Sequence, residues 1–217
     1  MIRRLIQRLK KRSHHALDSR DAYARWAQQY PPTPHNLLMK IEQQAMLSLI
    51  PSLKNKQVLD LASGTGRYGL IAESQGAKIV IGLDDSIDMI KRSVLSNAFV
   101  GSMTQIPLAR DGLDIVLCGL AVGHYADLGV ILCEISRVLK VGGQAIISDF
   151  HPFQYLRGAR RTFTVDGTEY EVEHYPHLYQ TLHETSKKAG LLIEAIREPV
   201  IDGQTMPVVM VYRLVKV

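Results

Sequence analysis

The sequence predicts an α/β protein: a seven-stranded, mostly parallel sheet with an antiparallel last strand and helices on both faces. Three observations predict it. Between residues 57 and 148, short runs rich in Val, Ile and Leu alternate with amphipathic segments, the order that βαβ units require. Those runs are apolar almost without a break, as where both faces of a sheet are covered. The last two runs, 191–198 and 208–214, are joined by a loop too short for a crossover helix, so the final strand runs antiparallel to its neighbour.

Each element has a local reason. Ile2, Leu5, Ile6 and Leu9 fall on one stripe of a helix whose other faces carry Arg and Lys. A helix over 23–29 ends at Pro31-Pro32. Asn36 caps another that runs to about Leu49 and is stopped by Pro51. Strands follow at 57–61, 78–83, 98–100, 113–118 and 144–148, with helices at 67–74, 86–95 and 128–139 and a turn at Val141-Gly142-Gly143. Beyond them, Asp166-Gly167 between two polar-apolar runs predicts a β-hairpin with a type I′ turn. A helix over 178–189 ends at Gly190. The expected organisation is a basic helix over 1–17 and one domain over 18–217. Within it, helices of 18–51 form a cap and the hairpin segment 152–177 forms a lid.

Composition narrows the class. With 46% hydrophobic and 22% charged residues, the chain can build a core, which excludes disordered and fibrous classes. The net charge of +5 is local: residues 1–20 hold seven Lys/Arg and one acid, which leaves −1 for the remaining 197 residues. A basic face across the fold is therefore not expected, and neither is a nucleic-acid partner. Cys118 and Cys133 are too few for a disulfide scaffold, sit in apolar surroundings, and suit a reduced, cytoplasmic protein. No Cys/His spacing suggests a metal site. No stretch reaches the roughly 18 apolar residues of a membrane span, and the basic N-terminus lacks the apolar segment of a secretory signal.

The run Gly64-Thr65-Gly66-Arg67-Tyr68-Gly69 follows a strand and opens a helix, and Asp84 lies twenty residues beyond Gly64. By its letters this is a dinucleotide fingerprint, which would suit a nicotinamide-dependent oxidoreductase. Its surroundings favour another ligand. Asp60 ends the first strand, where it would repel a pyrophosphate and attract a cation. Ala62 and Ser63 widen the loop, and no second substrate domain is expected. A ligand with an amino group, a sulfonium and a ribose fits better.

These residues carry a family resemblance. The run from Val58 to Arg67 resembles motif I of the class I S-adenosylmethionine-dependent methyltransferases, a Rossmann-like family. Gly82-Leu83-Asp84-Asp85-Ser86-Ile87-Asp88-Met89-Ile90 is similar to its second-strand motif. Leu113-Asp114-Ile115-Val116 and Leu139-Lys140-Val141-Gly142-Gly143 match in order and spacing. The likeness is to the small-molecule group that includes quinone-biosynthesis and malonyl-carrier-protein methyltransferases. It implies S-adenosylmethionine as cofactor, S-adenosylhomocysteine as product and a small organic acceptor. A non-catalytic cofactor-binding protein is the alternative outside catalysis.

The resemblance also distributes roles. Asp60 would take the cofactor's ammonium and Asp84, beside Asp85, its ribose hydroxyls. Ala62, Gly64 and Gly66 would bring backbone close, and Met89 would flank the adenine. Where the family has an adenine-binding acid, this chain has Ser102 and Met103. Gly119 and Leu120 would line the cofactor after the fourth strand, with Tyr30 folding over it. His124 and His151 are the candidate catalytic bases. Tyr23, His35, Tyr125 and Arg157 would face the acceptor, whereas His174, His177 and His183 are expected in solvent. The basic arm, residues 2–12, would meet an anionic membrane surface or an acidic carrier protein.

Overall fold

The computed structural model describes residues 16–217; the helix expected over the basic arm lies outside them. The chain builds α1 (Ser19–Trp26), α2 (Leu37–Leu49), β1 (Gln57–Leu61), α3 (Arg67–Ser74), β2 (Ile79–Asp84), α4 (Ile87–Ile90), β3 (Ala98–Val100) and β4 (Leu113–Gly119). It continues through α5 (Leu128–Val138), β5 (Leu139–Phe150), α6 (Pro152–Leu156), β6 (Thr162–Val165), β7 (Thr168–Glu171), α7 (Tyr179–Lys188), β8 (Leu191–Arg197) and β9 (Val209–Lys216). Seven strands form one sheet in the order β3-β2-β1-β4-β5-β9-β8. The first five run parallel, and β9 is antiparallel to both of its neighbours. The sheet is thus the one the sequence predicts.

Strand alternation builds two cores. Leu59, Leu61, Val116 and Cys118 face one side, where Ile131, Leu132 and Ile135 of α5 and Leu182 of α7 cover them. Val58, Ile115 and Leu117 face the other, under Met46 and Leu49 of α2 and Ala72 of α3. Covering both faces leaves the carboxyl edge of the parallel strands as the open crevice.

Local departures have local causes. The helix expected over 86–95 stops at Ile90, because Val94 N–H donates to Thr65 O (3.1 Å) and draws the chain back to the glycine turn. Leu95 then sits 6% exposed against Gly66, Gly69 and Gly82, where a Cβ on Gly66 would lie 2.8 Å from Leu95 Cγ. The glycine turn is therefore also a socket for Leu95. The expected turn at 141–143 is a bulge inside β5, where the pairing jumps from Leu113↔Leu139 to Ile115↔Gln144. The first cap helix starts earlier than its apolar pattern suggests, since Asp18 accepts from Asp21 N–H (2.8 Å). Cys133, expected in apolar surroundings, is exposed, while Cys118 is buried.

The hairpin β6–β7 turns at Asp166 and Gly167, both with positive φ (49° and 78°) as a type I′ turn requires. It joins α1 through a ladder of rings: Tyr23 stacks on Trp26 (5.9 Å), Trp26 on Phe163 (4.9 Å), and Phe163 on Tyr170 (5.4 Å). Leu17 N–H donates to Glu171 O and Glu173 N–H to Leu17 O, both 2.9 Å. Helix α1 and the hairpin form one body over the carboxyl edge. No helix among the described residues is long and apolar enough to cross a membrane.

Leu95→Ala should empty the glycine socket and lower unfolding free energy by about 2–5 kcal/mol in a urea titration. A loss under about 0.5 kcal/mol would show that Leu95 does not anchor the turn.

Candidate functional site

The glycine turn is built from backbone bonds. Ser63 N–H reaches back to Leu83 O (3.0 Å), and Gly66 N–H donates to Ser63 O (2.8 Å). Ala62 (φ 57°) and Gly64 (φ 54°) take left-handed backbone to make it. This opens a cavity of about 740 Å³, its mouth included, between the carboxyl ends of β1, β2 and β4 and the cap.

Two carboxylates dominate its wall. Asp60 is 2% exposed and takes Gly69 N–H on Oδ2 (2.7 Å). Burial raises its pKa to about 7, against the opposing pull of that bond and of Arg67. Asp84 accepts from Gly64 N–H on Oδ2 (2.8 Å) and from Ser86 N–H on Oδ1 (2.9 Å). Burial raises it to about 6. Neighbouring Asp85 accepts from the Tyr125 hydroxyl (3.1 Å).

The floor is a buried polar cluster that the sequence pattern does not reveal. Glu42 of α2, fully buried, accepts from Arg67 Nη1 (2.8 Å), Tyr68 Oη (2.7 Å) and Ser148 Oγ (2.5 Å). Ser148 Oγ in turn accepts from Leu120 N–H (3.0 Å), holding Leu120 at φ 58°. Gly119 has no room for a side chain, because a Cβ there would collide with Tyr68. The roof carries Tyr23 and Tyr30, whose rings meet edge to face at 6.0 Å. Arg161, from the start of the hairpin, donates through Nη2 to Tyr23 Oη (2.9 Å) and to Leu120 O.

Of the residues expected at the site, the cavity wall contains Asp60, Ala62, Gly64, Asp84, Asp85 and Met89 from the first two strand ends. It also contains Met103, Gly119, Leu120, His124 and Tyr125, with Tyr23 and Tyr30 above. Five lie elsewhere. His151 is 2% exposed and caps α6: Phe153 N–H donates to its Nδ1 (3.2 Å), and its Nε2 meets Glu198 Oε1 (3.1 Å). His35 is exposed behind the roof, edge-on to Trp26 and Tyr30. Arg157 ends α6 in solvent, and the hairpin brings Arg161 inward instead. Gly66 packs on Leu95 rather than lining the cavity. Ser102 spends its hydroxyl on Thr104 (Oγ to Oγ1, 2.7 Å; Thr104 N–H, 3.1 Å).

Two histidines expected in solvent are held by the fold. His177 Nε2 contacts Tyr125 O (2.9 Å), and His174 packs against Phe150 and Tyr155. Glu42, Arg67 and Tyr68 are site residues that the sequence reading does not pick out; Arg161 lies with Arg157 and Arg160 at the base of the hairpin, where arginines suit an anionic group on a substrate. Among the described residues no group of three His, Cys, Asp or Glu could hold a metal.

Residues 59–147 match the family described as a methyltransferase domain. An uncharacterized protein of Haemophilus influenzae is 26% identical over 85% of this chain and 86% of its own length. A ubiquinone/menaquinone biosynthesis C-methyltransferase of Xylella fastidiosa is 31% identical over 52% of this chain, which spans only 55% of that relative. Among solved structures, an S-adenosylmethionine-dependent methyltransferase from Mesorhizobium loti superposes with a TM-score of 0.70 at 19% identity, over 81% of this chain and 98% of that one.

The raised carboxyls set a pH trend. Native Asp60 and Asp84 bind protons more tightly than the unfolded chain does, so between about pH 4 and 7 folding takes up protons and stability falls as pH rises. Urea midpoints measured from pH 4.5 to 8 should decline across that window, and Asp60→Asn should flatten the decline. An Asp60→Asn profile as steep as the parent's would contradict the assignment.

Proposed function

We propose that this chain, which belongs to the class I S-adenosylmethionine-dependent methyltransferases, carries the cofactor's methyl group to a small organic acceptor held under the cap. One observation carries the proposal: two buried carboxylates face one cavity, and the hydrogen-bond partners that hold them are backbone N–H groups. Such a wall is complementary to a ligand bearing a cation and hydroxyl donors. A dinucleotide would instead set its pyrophosphate against Asp60, and nothing favours the oxidoreductase reading.

When bound, S-adenosylmethionine supplies an electrophilic methyl group on a sulfonium. In this proposal Asp60 takes the ammonium, and Asp84 with Asp85 takes the ribose hydroxyls. Gly64 admits backbone to the methionine portion, and Met89 and Met103 flank the adenine. Leu120, fixed through Ser148 and Glu42, borders the reacting end. The cap excludes water, so the chain's contribution is chiefly alignment in a dry cavity. The basic residues 2–12 would meet an anionic membrane surface or an acidic carrier protein.

Charged hydrogen bonds of this kind contribute roughly 1.5–3 kcal/mol each. Asp84→Ala should therefore weaken S-adenosylhomocysteine binding by about tenfold or more in calorimetry, with NAD(H) showing no competition. Unchanged affinity would break the ribose assignment, and competition by NAD(H) would revive the dinucleotide reading.

A further inference from the structure

His124 does not reach into the cavity unaccompanied. Its Nδ1 lies 3.0 Å from the backbone carbonyl of Glu173, which can only accept, so Nδ1 carries the proton. Nε2 is then a bare acceptor, and it lies 3.2 Å from Tyr23 Oη. The Tyr23 hydroxyl must donate to it. The lone pairs of Tyr23 Oη take Arg161 Nη2 (2.9 Å) on one side, and the tyrosine borders the cavity on the other. Arg161 Nη1 is buried without a hydrogen-bond partner, 3.8 Å from Asp149 Oδ1. A phenol backed by a bare imidazole nitrogen, with a buried guanidinium beside it, is arranged to move a proton.

We infer that Tyr23 is the group that takes the acceptor's proton, that His124 stores it, and that the acceptor presents a phenolic or enolic hydroxyl. The inference rests on the methyltransferase reading. As the acceptor oxygen bonds to the methyl carbon, the S–CH3 electron pair stays on sulfur. The acceptor's proton passes to Tyr23 Oη while the tyrosine proton passes to His124 Nε2. After product leaves, the imidazolium returns its proton to solvent by the same path. Arg161 meets the oxygen charge that develops on the way. The acidity of a phenol or enol lies near tyrosine's own, so the hand-over to Tyr23 Oη is nearly balanced; the onward step to His124 is uphill and is driven by the acidity that the acceptor O–H gains as its oxygen bonds to the methyl carbon. A carboxylate acceptor has no proton to give and would leave the relay idle.

Burial holds His124 well below its ordinary pKa, with Arg161 acting in the same direction and the bond to Glu173 against it. Burial raises the Tyr23 hydroxyl; Asp84 and Asp149 add to this and Arg161 opposes it. His174 is the other titratable group bearing on His124. Both relay members are therefore neutral at rest near pH 7.

Nitrogen-15 imidazole spectra of the protein saturated with S-adenosylhomocysteine read the arrangement without any acceptor. His124 should show a protonated Nδ1 and bare Nε2 from pH 6 to 8, and Tyr23→Phe should shift only the Nε2 signal. A protonated Nε2 overturns the relay. Failure of S-adenosylhomocysteine to bind overturns the cofactor reading instead. With labelled S-adenosylmethionine and catechol, aniline or benzoate as probes, catechol should be methylated. Tyr23→Phe should then lower kcat by about 100-fold, leaving KM and melting temperature within about twofold and a few degrees. His124→Gln should lower kcat and flatten its pH profile. No methylation of catechol, or a preference for benzoate, overturns the acceptor class; Tyr23→Phe within about threefold of the parent overturns the role of Tyr23.

Discussion

Two buried carboxylates that form no salt bridge among the described residues govern this fold's open edge. Asp60 and Asp84 sit at the ends of β1 and β2, where both faces of the sheet are already covered and both side chains are buried. Backbone N–H groups of Gly64, Gly69 and Ser86 hold them, which fixes their geometry without neutralising their charge. Burying such charge is costly unless a cation meets it. The glycine turn and the N-termini of α3 and α4 aim those N–H groups. Leu95, plugged into the glycines, locks the turn from behind.

The opposite wall has a different logic. Buried Glu42 ties α2 to α3 and, through Ser148, to the left-handed backbone at Leu120. The floor beneath the reacting end is thus rigid. The roof is a mixed body: α1 and the hairpin share a ring ladder and two backbone hydrogen bonds. Arg161 fastens that body to Leu120 below and places Tyr23 over the cavity. The buried carboxylates and the Tyr23–His124–Arg161 group are therefore carried by separate layers that meet at Leu120.

The sheet, the glycine turn and the acids at its ends were legible because each rests on local pattern: apolar runs, left-handed turns and strand-end carboxylates. The residues that depend on long-range register were not. Arg157 and Arg161 are four positions apart, and only the hairpin's geometry decides which turns inward. Glu42 sits on an ordinary amphipathic helix, where nothing nearby announces a buried acid. His151 shares its neighbourhood with strand-end catalytic positions, but Pro152 starts a helix after it and converts it into a cap. The helix expected after β2 shortened because a backbone bond to Thr65, invisible in sequence, claimed Val94.

Burial leaves Asp60 partly protonated near neutral pH, and the proposed role has it lose that proton when a ligand's cation arrives. Calorimetry of S-adenosylhomocysteine binding at pH 6, repeated in buffers of different ionisation enthalpy, measures it directly. The account predicts release of about one proton per ligand bound, lost in Asp60→Asn. Binding with no proton release, or with the same release in Asp60→Asn, would contradict it.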